Sequence, residues 1–177
     1  MGRKSWDKFF MEQAFHVATK SKDKSTKVGA VCVGPGNEVV SMGFNGLPRG
    51  MREKKAYQQR PLKYWVTVHA ERNAVYNAAR IGARLSGTRM YTQFCPCADC
   101  AQAVIQSDIK EIIVCTKWDS VIDKLPKDTS AIAENRWRES CKVARMMLRE
   151  SGVKFTVYRG PIDPHITSLC SGYEVKL

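Results

Sequence analysis

The chain has 177 residues, of which 44% are apolar and 9% aromatic, a composition that predicts one globular domain and excludes a disordered chain. No run approaches the ~18 apolar residues of a membrane span, and no apolar signal segment follows the N-terminus, so we expect a cytoplasmic protein with no membrane partner. The formal net charge of +12 either serves solubility or favours an anionic partner, for which nucleotides and nucleic acid both qualify.

Helical and strand periods alternate along the chain. In chain order the pattern predicts a helix at residues 6–20, strands at 28–33 and 39–42, an irregular stretch at 43–67, a helix at 69–81, a strand at 88–93, a helix at 98–107, a strand at 111–116, a helix at 131–150 and a strand at 153–158. Such alternation favours an α/β fold with a largely parallel sheet. We expect a single domain at residues 1–160 and a C-terminal tail at 161–177, which has no clear period.

The seven cysteines are an odd number, and three of them, Cys95, Cys97 and Cys100, lie within six residues. A disulfide framework would spread cysteines in pairs along the chain. The observed pattern therefore indicates a reduced protein with a metal site. Cys32 and Cys115 lie inside apolar runs and are predicted to pack in the core.

His69 and the pair Cys97 and Cys100 form the strongest candidate metal site. A catalytic zinc ion keeps three protein ligands and leaves its fourth position open to water. The two cysteines are three residues apart at the start of a predicted helix, so both sulfurs can face one side, and the helix N-terminus favours their thiolate form. We therefore predict one catalytic Zn²⁺ ion held by these three residues.

Glu71 follows His69 by two residues and is predicted to carry protons rather than to bind the metal. Its carboxylate would take a proton from the attacking water and deliver it to a ring nitrogen and then to the departing ammonia. Residues i and i+2 do not share a face of an ideal helix. The role therefore requires that His69 open the helix.

Other interpretations of the same motif exist. A Cys-x-x-Cys pair alone is typical of structural zinc sites and of redox pairs. A structural site would need a fourth ligand, for which the candidates are Cys95, His16 and His165. The combination of His-x-Glu with Pro-Cys-x-x-Cys is, however, the signature of zinc-dependent nucleobase deaminases. We therefore interpret the site as catalytic.

Three stretches beyond the cysteine motif extend this similarity. They are the polar-to-apolar segment at residues 21–30, the Gly-Phe-Asn-Gly-Leu-Pro-Arg-Gly loop at 43–50, and residues 64–74, which lead through His69 into the predicted zinc helix. Over residues 5–158 the chain resembles the deoxycytidylate (dCMP) deaminases of the cytidine deaminase-like superfamily. The resemblance implies a three-layer α/β fold, with a mixed, largely parallel five-stranded sheet between helices.

The resemblance also implies an activity and its control. The expected reaction is hydrolysis of dCMP to dUMP and ammonia, which supplies dUMP for thymidylate synthesis. A homo-oligomer such as a hexamer is expected, activated by dCTP and inhibited by dTTP, with Mg²⁺ accompanying the triphosphates. Some phage members hold a second zinc ion partly through histidines. Because His16 and His165 are the only histidines besides His69, we predict a single zinc ion.

The substrate contacts that the resemblance implies are Asn45, Ala70, Lys22, Ser25, Lys117 and Trp118. Asn45 matches the family position at the bound nucleotide, although Asn-Gly is also a strong turn dipeptide. The lysine-rich segment is a candidate phosphate site or a solvated loop, and Trp118 either packs on the nucleotide or belongs to the core. The predicted effector contacts lie in the glycine loop and are Gly43, Asn45, Gly46 and Arg49.

Three rival functions remain. A deaminase of tRNA or single-stranded nucleic acid would share the zinc motif and suit the positive charge. We favour this hypothesis less than a dCMP deaminase, because residues 21–30 and Asn45 suit a free nucleotide better. A riboflavin-pathway deaminase carries a longer spacing in its second cysteine motif. A non-catalytic zinc-binding module would have no need of Glu71.

Overall fold

The computed structural model describes residues 3–115, 131–170 and 173–176, and within these ranges the chain forms five α-helices and seven strands. The helices are α1 (Trp6–Ala18), α2 (Leu62–Val66), α3 (Ala70–Ile81), α4 (Ala98–Gln106) and α5 (Ala131–Glu150). The strands are β1 (Gly29–Val33), β2 (Val39–Phe44), β3 (Arg89–Thr92), β4 (Glu111–Cys115), β5 (Lys154–Tyr158), β6 (Thr167–Cys170) and β7 (Tyr173–Lys176).

Five of the strands form one mixed sheet in the order β2-β1-β3-β4-β5. The pairs β1–β2 and β1–β3 are antiparallel, whereas β3–β4 and β4–β5 are parallel. A tight turn joins β1 to β2, with Asn37 at a φ of 67°. The parallel strand β4 follows β3 through α4, as a parallel pair requires a crossover connection. The predicted mixed five-stranded sheet is confirmed, and its parallel pairing is confined to the β3–β4–β5 half.

Helices cover both faces of this sheet, so the molecule has three layers. Side chains alternate along β1: Ala30 and Cys32 pack in a core cluster with α3, α4 and α5, whereas Val31 and Val33 pack in a second cluster with α1. Both clusters consist of residues that are at least nine-tenths buried. The strands of the sheet centre are therefore apolar on both sides, as β1 shows by being buried throughout its length.

Helix α3 lies unusually close to strand β2 at Gly43. A Cβ atom at this position would lie 2.3 Å from the backbone nitrogen of Ala74 and 2.5 Å from the carbonyl oxygen of Ala70. Only glycine permits this approach. The contact fixes the first turn of α3, which carries the predicted site residues Ala70 and Glu71.

The predicted elements are present in the expected order, with ends that coincide with the observed ones or differ by at most two residues. The stretch at 43–67, predicted to be irregular, also contains a short 3-10 turn (Lys55–Gln58) and α2. No described helix has the length and apolar character that a membrane span would need.

The predicted tail contains a β6–β7 hairpin that the sequence pattern does not indicate. Ile162 and Cys170 belong to the same core cluster as Phe10 and Phe15 of α1, and the Lys27 backbone N–H donates to the Leu169 carbonyl at 2.9 Å. The domain boundary at residue 160 remains a prediction.

Candidate metal centre

His69, Cys97 and Cys100 converge in space, although 28 residues separate the histidine from the first cysteine. His69 is the extended N-cap residue of α3, and Cys97 is the extended N-cap residue of α4, so the two helix N-termini meet at this point. The Nδ1 atom of His69 lies 3.4 Å from the Sγ of Cys97 and 3.5 Å from the Sγ of Cys100. Zinc bond lengths place such ligand atoms roughly 3.6 Å apart around a tetrahedral ion.

The donor set also suits a zinc ion electrostatically. The hydrogen bond from Cys100, helped by His69 and opposed by burial, lowers the pKa of the Cys97 thiol well below its ordinary value. The same hydrogen bond, together with burial, raises the pKa of Cys100. The pair therefore loses one proton readily and holds the second, whereas a divalent cation would favour both thiolates. Together with the distances, this indicates that the three residues fit a zinc ion.

Glu71 lies beside the metal ligands without joining them. Its carboxylate oxygen Oε2 is 3.5 Å from the Sγ of Cys100, and the residue is 4% exposed. The placement follows from the extended backbone of His69, because the helix begins only at Ala70. The condition that His69 open the helix is thus met. Burial is the main reason that the pKa of Glu71 is raised, so the carboxyl group is suited to holding a proton.

Helix α5 holds the cysteine segment in place from the other side. The hydroxyl of Ser140 accepts a hydrogen bond of 2.8 Å from the Ala98 backbone N–H, directly after Cys97. Cys95 and Cys141 each donate a thiol hydrogen bond to the other's carbonyl oxygen, at 3.9 and 3.8 Å. The sequence motif does not reveal these partners, because Ser140 and Cys141 lie more than 40 residues further along the chain.

Residues proposed as extra metal ligands do not reach the centre. Within the described ranges, the only group of three or more metal-binding side chains is the His69, Cys97 and Cys100 set. Cys95 is buried against α5 instead. The alternative of a structural zinc site, which would need a fourth ligand from Cys95, His16 or His165, is thus not supported by the geometry of the described residues.

Asn45 uses its side-chain amide to close the loop before β1. Its Oδ1 accepts from the Val28 N–H at 2.8 Å, and its Nδ2 donates to the Thr26 carbonyl at 2.8 Å. These partners lie 17 and 19 residues earlier in the chain, so Asn45 has a structural role across two loops, and both the Asn-Gly turn and contact with a nucleotide remain predictions for it. Ala70 is fully buried at the start of α3, next to His69.

The predicted phosphate segment is built around a buried ion pair. The Nζ of Lys63 lies 2.6 Å from Oδ1 of Asp23 and also donates to the hydroxyl of Ser25. Burial raises the pKa of Asp23, but hydrogen bonds from Lys63 and the backbone outweigh it and lower the pKa overall. Lys22 is exposed and pairs with Glu53. No local feature of the sequence marks Lys63, which lies about 40 residues after its partners. Lys117 and Trp118 lie outside the described residues.

A cavity of about 370 Å³ lies beside the glycine loop. Of the four predicted effector residues, Gly46 and Arg49 line this cavity, together with Lys20, Lys22, Asn73 and Asn77. Arg49 donates to the Asn77 side chain. Gly43 instead lies buried against α3, and Asn45 lies buried beneath the loop.

Comparisons with known proteins agree with this geometry. A family model described as the cytidine and deoxycytidylate deaminase zinc-binding region matches residues 4–116. A protein of Aliivibrio fischeri, named an uncharacterised deaminase in the luxG 3′ region, is 35% identical over 151 residues, which cover 85% of this chain and 92% of that protein. The deoxycytidylate deaminase of Mus musculus is 39% identical over 114 residues, 61% of this chain and 63% of that enzyme.

A solved structure shares the fold. The crystal structure of dCMP deaminase from the cyanophage S-TIM5, in complex with dCMP and dUMP, superposes with a TM-score of 0.62. The sequences are 21% identical, and the alignment covers 89% of this chain and 100% of that one. The expected three-layer architecture is thereby confirmed. The chain spans less than two thirds of the length of the mouse enzyme.

Proposed function

The chain belongs to the cytidine and deoxycytidylate deaminase family, and on this premise we propose that it hydrolyses dCMP to dUMP and ammonia. The observation that carries the proposal is the convergence of His69, Cys97 and Cys100, with the Glu71 carboxyl group 3.5 Å from one of the sulfurs. Relatives named deoxycytidylate deaminases support the choice of substrate.

His69, Cys97 and Cys100 would hold the zinc ion. When bound there, zinc supplies the Lewis acidity that makes water a nucleophile near neutral pH. Glu71 carries the protons: it takes one from the water that attacks C4 of cytosine and passes it to N3. It then moves a proton from the new C4 hydroxyl to the amino group, which leaves as ammonia. Burial of Glu71 excludes bulk water from these transfers.

Further residues would bind the nucleotide. The backbone N–H of Ala70 belongs to the first turn of α3, whose amides have no partner within the helix and suit an anionic or carbonyl oxygen. Lys22 and Ser25 lie next to the Lys63–Asp23 pair, in a segment at residues 20–27 that holds four lysines and one aspartate, a positive balance that suits a phosphate group. Asn45, Lys117 and Trp118 are proposed as contacts from the family pattern.

Control by triphosphates is part of the proposal. The cavity beside the glycine loop has a volume of about 370 Å³ and places Lys20, Lys22 and Arg49 on its wall. Asp23 and Glu53 also line the cavity, and Glu53 pairs with Lys22, so it is the size of the cavity, more than its charge, that supports binding of dCTP or dTTP with Mg²⁺. The homo-oligomer that the resemblance implies and the cytoplasmic location expected from the sequence remain predictions.

The proposal is tested by ammonia release. The purified, zinc-loaded protein is offered dCMP, deoxycytidine, dCTP, and oligonucleotides that contain cytosine or adenosine, in parallel. We expect rapid turnover of dCMP alone, followed by activation with dCTP and inhibition with dTTP. Deamination of an oligonucleotide with dCMP untouched would contradict the proposal and assign the net charge of +12 to nucleic-acid binding.

A further inference from the structure

Two basic segments lie side by side on the surface of the molecule. Residues 20–27 and 49–65 together contain ten lysines and arginines but only two acidic residues, so they carry a net charge of +8 out of the total of +12. Three contacts tie the segments together, namely the Lys63–Asp23 ion pair, the Lys22–Glu53 ion pair, and a hydrogen bond of 3.4 Å from the Lys24 N–H to Oε1 of Gln58. Both acidic residues are therefore already paired, and neither offsets the remaining cations.

Part of this charge lies at the nucleotide cavity proposed above, and part of it lies elsewhere. The cavity is lined by Lys20, Lys22 and Arg49. Four further cations are exposed, do not line the cavity and form no ion pair with any residue that the structure describes; they are Arg52, Lys54, Lys55 and Arg60. The proposed deamination reaction uses none of these four side chains.

Aromatic rings accompany these cations. The Cζ atom of Arg60 lies 5.5 Å from the ring centre of Tyr64, and the Nζ of Lys54 lies 5.7 Å from the ring centre of Tyr57. Tyr64 is 53% exposed, and its neighbour Trp65 in α2 is 84% exposed, more than any other large apolar side chain in the described ranges. An indole ring held this open to water offers a flat apolar face on which another ring can stack.

We propose that this part of the molecule binds single-stranded nucleic acid. The basic-aromatic surface that would do so consists of Arg52, Lys54, Lys55, Arg60, Tyr64 and Trp65. Its cations would contact phosphates and its exposed rings would stack on bases, the combination by which proteins hold single strands without reading their sequence. The bases of a duplex are already stacked on one another, so only an unpaired base can use the Trp65 ring. The strand is a ligand and not a substrate, and the inference therefore goes beyond the deamination of a free nucleotide.

A fluorescent oligonucleotide of about 12 thymidylates, within the usual span of a single-strand site, tests this surface. Thymine has no amino group to lose, so deamination cannot affect the measurement. Fluorescence anisotropy follows binding to the full chain at several salt concentrations. Each phosphate contact on a single strand contributes about 0.7 to the slope of log affinity against log salt concentration. Four cations at four phosphates therefore predict a slope of about −3.

Two kinds of variant separate the charge from the stacking. Arg52→Gln combined with Lys55→Gln should reduce the magnitude of the salt slope by about 1.4. Trp65→Ala should weaken binding of the single strand by at least about 5-fold at an unchanged slope, and should leave binding of a duplex unaffected. The matched controls, Arg80→Gln and Tyr76→Ala, change exposed residues of α3 outside the two segments and should alter neither quantity. Circular dichroism checks that each variant is folded.

Three results would overturn the inference. The first is a wild-type protein that does not bind the oligonucleotide, and the second is binding that saturating dTTP abolishes, which would place the strand in the cavity. The third is an oligomer that Trp65→Ala dissociates while the strand binds as before, because a second copy of the chain would then cover Trp65.

The proposed function is tested separately. A protein that deaminates dCMP but does not bind the strand contradicts only the basic-aromatic surface. Strand binding without dCMP turnover contradicts only the proposed substrate.

Discussion

Glu71 owes its position to the backbone of a neighbour. A helix that began before His69 would place Glu71 on a different face from the metal ligands, because residues i and i+2 diverge by about 200° around the axis. His69 is instead extended, with φ −70° and ψ 159°, and the helix starts at Ala70. The carboxyl group thereby turns toward Cys100, where the proposed proton transfer takes place.

The proton-carrying role predicts the behaviour of Glu71→Gln. The substitution keeps the size of the side chain but removes its ability to exchange protons. We expect zinc content and thermal stability to stay near those of the wild type, while dCMP turnover falls by about 10²–10⁴-fold. Zinc content is measured by atomic absorption and turnover by ammonia release.

The matched control is Glu12→Gln, because Glu12 is also a buried glutamate, 7% exposed, and lies in α1 among the partners Lys4 and Asp163. It should leave turnover unchanged. Loss of zinc from the Glu71 variant would instead identify Glu71 as a metal ligand.

At the residue scale, the sequence predicts those site residues that belong to short motifs. His69, Glu71, Cys97 and Cys100 stand in two compact patterns whose chemistry is specific. Ser140 and Lys63 were missed, because a serine on a helix or a lysine in a basic loop has no local feature that reveals a partner about 40 residues away. Such partners depend on tertiary packing, which spacing along the chain does not encode.

At the scale of elements, the contact between β2 and α3 positions the metal centre. We expect Gly43→Ala to destabilise the fold by about 2 kcal/mol, because its Cβ would meet the backbone of α3 at 2.3 Å, and backbone cannot yield as a side chain can. The displaced first turn should also weaken zinc binding. Urea unfolding and zinc titration measure the two effects.

Gly46→Ala is the natural control, because the nearest atom to its new Cβ lies 3.9 Å away. We expect a change within about 0.5 kcal/mol. The comparison also distinguishes a packing role from an effector role for Gly43, one of the four predicted effector residues. A Gly43→Ala variant with normal stability but no response to dCTP would give Gly43 an effector role in place of the packing role.

Elements with a clear apolar pattern were easier to predict than elements without one. Helix α5 and the buried strand β4 have clear apolar patterns and were predicted close to their observed limits. Helix α2 spans only five residues and keeps Trp65 84% exposed, so no apolar face marks it. The β6–β7 hairpin has strands of four residues each, too short for a period to stand out.

At the scale of the whole molecule, the C-terminal segment shares the core beneath α1. Ile162 is 4% exposed and packs in the cluster that contains Phe10 and Phe15. We expect Ile162→Ala to lower the free energy of unfolding by about 3 kcal/mol, as for other buried isoleucines. Chemical denaturation followed by circular dichroism gives this value.

Ile81→Ala serves as the control, because Ile81 is 71% exposed at the end of α3 and should change stability by less than about 0.5 kcal/mol. Equal effects of the two variants would mean that residues after 160 add little to the core. That result would support the domain boundary predicted from sequence. The sequence pattern could not decide this point, since it does not reveal which helix a short segment packs against.

Six of the seven cysteines are buried, and Cys97 is half-buried. The six buried sulfurs meet an alkylating reagent such as iodoacetamide only when the fold opens, so each alkyl group that they acquire records an opening event, whereas the half-buried Cys97 can react in the native chain. Cys32 lies on one side of the central sheet, whereas Cys115 and Cys170 lie on the other. The order in which these sites gain mass in a mass spectrometer would tell which side of the sheet loosens first. The buried thiols of this chain thus report the rate at which each layer of the fold opens locally.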